Sequence, residues 1–151
     1  MNRMDKMIKQ FEKVIHTEIP LSQAMGVSVS SYDGVKLSLV APLEKNTNHK
    51  STAFGGSLYS LAVLTGWGWV YLKLLELKLT GHIVIQKSEI DYFLPVKGEM
   101  VAQCQVSDPT ILQKFIHTYK KKDRSRIQLV VNIFQGNECA VQFRGSYVIH
   151  K

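Results

Sequence analysis

Residues 51–72 carry no charged side chain, and no other stretch limits the possible folds so strongly. The stretch is long enough to cross a bilayer, which takes about 20 apolar residues in a helix. Its composition argues otherwise. It opens on Ser51, Thr52, Gly55, Gly56 and Ser57, and Gly66 and Gly68 interrupt it further on. Segments of strand character flank it on both sides. The reading is therefore a helix over residues 55–77 buried within a domain, with no membrane span. A helix apolar nearly all round must be covered on most sides. Gly66 and Gly68 are expected to weaken it, and to kink or break it.

The flanking segments supply the cover. Val27 and Val29 alternate with serines, Asp33-Gly34 is a hairpin turn signal, and Val35, Leu37 and Leu39 alternate again, which gives a hairpin over residues 27–40. After Gly81 the isoleucines of residues 83–85 and 90–94 mark one long strand that leaves at Pro95 and Gly98. Residues 100–106 form the next strand, broken by Asp108-Pro109. Residues 127–134 and 139–149 pair about Gly136-Asn137 as a second hairpin. Ahead of all this, Met4, Met7, Ile8, Phe11, Val14 and Ile15 recur at helical spacing, Pro20 ends that segment, and residues 21–25 add a turn. The later chain shows no helices alternating with its strands, so a doubly wound sheet is excluded. The fold class is α+β: an antiparallel sheet curved round one long central helix. The expected organisation is one domain over residues 1–151, with residues 1–25 as its N-terminal helical segment.

Charge and cysteine content narrow the function classes. The net charge of +7 favours anionic partners. Lys114, Lys120, Lys121, Lys122, Arg124 and Arg126 crowd together against a single acid, Asp123; taken alone, this reads as a solvated loop or strand tip. Phe115 and Tyr119 precede Lys120 and no aromatic falls between Lys120 and Arg126, so the stacking pattern of a nucleic-acid surface is missing. Cys104 and Cys139 sit in apolar strands without a CxxC, as buried thiols in a reducing compartment do. Asp5, Lys6, Lys9, Glu12 and Lys13 leave no apolar leader at the N-terminus, and the expectation is a cytoplasmic protein. No His/Cys/Asp/Glu cluster has metal-ligand spacing, and no phosphate-loop or nucleophile-elbow motif occurs.

Asn46-Thr47-Asn48-His49-Lys50-Ser51-Thr52-Ala53-Phe54-Gly55-Gly56-Ser57-Leu58 resembles the loop-to-helix segment of hotdog thioesterases, in which an Asn precedes a His-Gly-Gly turn opening the central helix. With Gly66-Trp67, the variant here is similar to the branch of YiiD C-terminal-like thioesterases. The segment running from Ile90 through Asp91, Tyr92, Phe93, Leu94 and Pro95 to Glu99 resembles the hotdog strand exit. The similarity covers nearly the whole chain. It implies a hotdog fold and a substrate that is an acyl thioester of coenzyme A or acyl carrier protein, the carrier belonging to the substrate and no separate cofactor being required. It also implies a homodimer or dimer of dimers with sites at the interface. The branch is similar to proteins that decarboxylate malonyl-acyl carrier protein to acetyl-acyl carrier protein, which primes fatty acid synthesis.

Chemistry beside a thioester carbonyl needs hydrogen-bond donors aimed at its oxygen. A helix start offers unpaired N–H groups and the positive dipole end. The backbone N–H groups of Gly56 and Ser57 are the candidate donors, with Gly55 leaving the approach open. Asn46 and Asn48 are candidate catalytic side chains by the family pattern, and turn-formers otherwise. Thr52 and Ser57 could hold a substrate carboxylate or cap the helix. Phe54, where the family has His, and Trp67 would wall the site. His49 reads as solvated. Lys120, Lys121 and Lys122 would meet the carrier. The first acid after Gly56 is Glu76, about 30 Å along the helix. Hydrolysis needs a group to activate water, whereas decarboxylation needs only oxyanion donors and an apolar surround. That favours decarboxylation over hydrolysis; a non-catalytic acyl-thioester-binding module is a further alternative. Glu44, Glu89 and Asp91 stand as acids that strand geometry or a second chain could bring in.

Overall fold

The computed structural model describes residues 1–151. Helix α1 (Arg3–Glu18) starts where the Asn2 side chain accepts the Asp5 N–H (2.8 Å), and it buries Met7, Phe11 and Ile15, one stripe of a 3.6-residue period. Pro20 then fixes the first turn of α2 (Pro20–Met25). Strands β1 (Ser28–Tyr32) and β2 (Lys36–Ala41) form the expected hairpin, with the Asp33 carboxylate accepting the N–H groups of Val35 and Lys36 (2.8 and 2.7 Å). After a 3-10 turn (Leu43–Lys45) and a loop comes the long helix α3 (Gly55–Glu76).

Strands β3 (His82–Tyr92), β4 (Met100–Gln105), β5 (Arg124–Gln135) and β6 (Glu138–His150) complete one antiparallel sheet in the order β1-β2-β4-β5-β6-β3. The sheet wraps α3, with side chains from β2, β4, β5 and β6 meeting it in a single core. This is the hotdog arrangement. Although α3 is long and apolar enough to cross a membrane, its apolar sides are covered by sheet. Leu61, Trp69 and Leu72 on it are almost wholly buried, as are Leu39, Leu129 and Phe143 of the sheet, in one core. Each such side chain contributes about 1.5–3 kcal/mol by leaving water.

The expected break at Gly66 and Gly68 is absent, and α3 runs unbroken. Both glycines are places of close approach. A methyl at Gly66 would overlap the Tyr147 ring, and one at Gly68 would overlap Phe11 of α1. The Tyr147 hydroxyl donates to Val63 O (2.7 Å) across this contact. The helix loses propensity at these positions and gains two interhelix and helix–sheet contacts that no larger residue permits.

Residues 109–122 depart from the sequence reading. They form a helix, α4 (Pro109–Lys122), rather than a loop or strand tip. Asp108 caps it by accepting the Thr110 N–H (2.9 Å), Pro109 sits in its first turn, and Phe115, Ile116 and Tyr119 are buried. The three lysines occupy its last turn, where they favour the negative end of the helix dipole. The Tyr119 hydroxyl donates to Thr80 O (2.6 Å), which fastens α4 beside the C-terminal end of α3 and the start of β3.

The two sheet edges differ. β1 is short and carries an irregular register against β2. β3 has 11 residues, pairs only with β6, and leaves Val84 and Tyr92 exposed on a free edge.

Candidate active site

The loop before α3 is built by two asparagines. Asn46 is 3% exposed, and its side-chain amide donates to Met25 O (2.9 Å) and Pro42 O (2.8 Å). Both of its N–H groups are thereby used, and the remaining buried atom, Oδ1, is an acceptor without a partner. A donor role toward a thioester oxygen, expected for Asn46, therefore does not fit this geometry. The residue ties α2 to the loop. Asn48 is occupied as well: its amide donates to Thr52 Oγ1 (2.8 Å), and its Oδ1 accepts from Lys50 N–H (2.8 Å) and Thr52 N–H (3.2 Å). Asn48 and Thr52 thus close the turn over residues 48–52. His49 is exposed, as its polar neighbours suggest.

The turn delivers the chain into α3 with its donors free. The first helical bond runs from the Leu58 N–H to Phe54 O (3.0 Å), and Phe54, at the N-cap, makes no side-chain capping bond. The N–H groups of Gly55, Gly56 and Ser57 have no partner. Ser57 does not cap the helix with its hydroxyl. Phe54 is 55% exposed and lies against Gly56, where a methyl would overlap its ring. The absence of a side chain lets the Phe54 ring lie against the turn, and it also leaves the donor pair open.

From this first turn an apolar cavity of about 270 Å³ runs between α3 and α2. It is lined by Tyr59, Ser60, Val63, Leu64 and Trp67 on one side and by Ile19, Leu21, Ser22 and Met25 on the other. Ser60, whose hydroxyl donates to Gly56 O (2.9 Å), marks its near end. Trp67 marks its far end and is fixed by donating Nε1–H to Ile83 O (3.1 Å). The span from Gly56 to Trp67 is about 17 Å of helix. Of the two sequence-predicted walls, Trp67 lines the cavity and Phe54 does not.

Tyr92 was outside the expected site. Its hydroxyl donates to Gly55 O (2.9 Å), and burial together with nearby Tyr59 holds it above the usual phenol range. The cavity lining had a legible signal in the i, i+4 stripe Tyr59, Val63, Trp67. Tyr92 had none, because only the fold brings the end of β3 to the start of α3.

The expected acids do not converge here. Along β3, Ser88 meets Tyr59 and Tyr92 meets Gly55, so these residues face α3. By alternation Glu89 and Asp91 face the opposite side, where Arg144 holds them at 3.7 and 3.2 Å. Glu44 is exposed on the 3-10 turn. Glu76, at the far end of α3, accepts from the Tyr32 hydroxyl and pairs with Lys73 (3.5 Å). No carboxylate is bonded to the first turn of α3. Lys120, Lys121 and Lys122 are also remote within the protomer: Lys120 lines a cleft with Leu77, at the opposite end of α3 from Gly56.

Residues 8–151 match the protein family described as "Putative thioesterase (yiiD_Cterm)". Among solved structures, a Chlorobaculum tepidum protein of unknown function is 37% identical, with 98% of this chain and 96% of that one covered at a TM-score of 0.94. A protein from Shewanella oneidensis described as a "putative thioesterase" is 29% identical, with 98% and 100% covered and a TM-score of 0.86. A Pseudomonas aeruginosa protein described as a probable thioesterase shares the fold at 16% identity, with 94% of each chain covered and a TM-score of 0.78.

Proposed function

The chain belongs to the YiiD C-terminal family of thioesterase-like proteins, and from that premise we propose that it decarboxylates a malonyl thioester carried on phosphopantetheine, yielding the acetyl thioester. The thioester oxygen would sit on the N–H groups of Gly56 and Ser57. The bond between the α-carbon and the carboxylate breaks, carbon dioxide leaves, and the electron pair passes into an enolate. The two donors and the helix dipole stabilise its oxygen, and water returns a proton to the α-carbon. The observation that carries this reading is a donor pair free at the helix start with no carboxylate bonded beside it. The aromatic rings beside the helix start, Phe54 against Gly56 and Tyr92 against Gly55, would disfavour the substrate carboxylate's charge.

Hydrolysis is the second reading. The cavity leading away from the donors along α3 favours it, because its apolar lining suits an alkyl tail, as does the Shewanella relative's description as a thioesterase.

The assembly proposed is a homodimer through β3. A long free edge with exposed apolar residues is a pairing template, and a two-fold satisfies both copies at once.

Mass spectrometry of malonyl-carrier protein after mixing with the protein separates the chemistries. Acetyl-carrier protein is the expected product, and free carrier protein would replace decarboxylation by hydrolysis. Ser57→Pro removes one donor at a helical position whose N–H makes no bond. It should lower turnover about a hundred- to a thousand-fold. Full turnover in that variant would take the donor role away from Ser57.

A further inference from the structure

The basic end of α4 lies at the wrong end of its own protomer to serve the donor pair. Residues from Gly56 to Leu77 span about 32 Å of helix. A carrier bound at Lys120 would have to lay its arm along the whole of α3 to bring a thioester to Gly56.

The free edge resolves this. β3 runs alongside α3 in the opposite direction: Ile83 receives Trp67, Ser88 meets Tyr59, and Tyr92 reaches Gly55. Its last residue is therefore at the donors. Its first residues lie at α4, where Tyr119 binds Thr80 O. A strand paired with its own copy about a two-fold must run antiparallel to it. Pairing centred on the strand sets the start of one β3 beside the end of the other, and the lysine-bearing end of one α4 arrives beside the other subunit's Tyr92 and Gly56.

We propose that α4 of each subunit is the docking surface for the carrier protein whose thioester reacts at the other subunit's donors. This rests on the substrate and dimer readings above. The occupant is an acidic protein surface. Lys120, Lys121 and Lys122 are all exposed, and successive helical residues point about 100° apart, so the three ammonium groups are spread round the helix end and suit an extended acidic surface better than one phosphate. They form a basic cap at the end of α4, with Lys120 on the rim of the cleft beside Leu77. The neighbouring acid, Asp123, is held by Lys151 at 2.8 Å, which leaves the cap uniformly positive toward a partner. Such a surface mainly accelerates encounter and fades with salt.

Heterodimers of two differently tagged chains test this. In the first, one chain carries Ser57→Pro and the other carries Lys120→Glu, Lys121→Glu and Lys122→Glu. In the second, all four substitutions are on one chain and the other is wild type. Docking across the two-fold predicts that the first retains one intact site. Its KM for malonyl-carrier protein should match the wild-type dimer, at about half the turnover. The second then has no intact site, and its KM should rise about tenfold or more. The reverse pattern places lysines and donors in one protomer and overturns the proposal, as does an unchanged KM in the triple-Glu homodimer or a monomeric wild-type chain by light scattering. Malonyl-pantetheine, which bypasses the cap, should be turned over alike by both heterodimers. A malonyl-coenzyme A KM that rises as much as that for the carrier protein would assign the cap to phosphates and overturn the acidic-protein occupant. If Ser57→Pro fails to fold, Gly55→Trp, whose Cβ would meet only ordinary contacts, covers the donor pair instead. A wild-type dimer inert toward every acyl thioester would sink the functional reading itself, separately from the docking geometry.

Discussion

Asn46 shows how a residue that looks catalytic can be structural. Its two N–H groups satisfy the carbonyls of Met25 and Pro42 in a site that is 3% exposed. Asn46→Ala strands both carbonyls, so a loss of about 1–3 kcal/mol is expected, read as a lower midpoint in urea unfolding. Asn46→Asp would set a carboxylate oxygen against the same carbonyls, so loss of activity there would report folding before chemistry. Unchanged stability in both variants would return Asn46 to the catalytic role. Cys104 carries a second residue-scale prediction. Burial lifts its thiol from 9.0 to about 12, and burial likewise raises Tyr32 and Tyr147. A pKa raised on folding means that the native state holds its proton more tightly, so this contribution is intact below pH 9 and is lost as pH rises toward 12. Unfolding free energies from urea titrations should fall across that window, by up to about 1.4 kcal/mol per pH unit for Cys104, with the tyrosines adding above pH 10. Cys104→Val should flatten the fall, and an equal slope in that variant would refute the assignment. The asparagines could be picked out from the sequence, but their hydrogen-bond partners could not, because Met25 lies 21 residues away from Asn46.

At the scale of elements, α3 is stable in spite of its glycines because they are contact points. Gly66→Ala improves helix propensity by up to about 1 kcal/mol. The new methyl also overlaps the fully buried Tyr147 ring, and overpacking typically costs about 1–3 kcal/mol. The net expectation is a lower melting temperature by calorimetry; a higher one would mean that Tyr147 moves aside freely. The far end of α3 is pinned to the β1–β2 hairpin by Trp69, which donates to Val35 O (3.0 Å), and by Lys73 bonding Gly34 O, while Arg3 caps it at Glu76 O (2.8 Å). α4 was within reach of sequence reasoning. Asp108-Pro109 is a cap and a first turn, and Leu112, Phe115, Ile116 and Tyr119 keep helical spacing. The charge crowded into residues 120–126 masks that spacing and gives the segment the look of solvated loop.

For the whole molecule, β3 leaves one sheet edge unpaired, with the unbonded helix-start N–H groups at one end of it and the lysines of α4 at the other. The dimer test and the docking test therefore belong together. Sequence alone determined the elements along α3 and the sheet, because an uncharged helix has to be enclosed and period-two strands are what can enclose it. It also marked Gly56 and Ser57, since an unpaired helix start is a local property of the chain. Tertiary structure alone decided which side chains remain free for chemistry. It used up Asn46 and Asn48, turned Glu89 and Asp91 outward, brought Tyr92 to Gly55, and set Lys120 far from Gly56. The reason is physical: hydrogen-bond partners and facing directions are fixed by contacts between residues distant in the chain, and periodicity carries no record of those contacts.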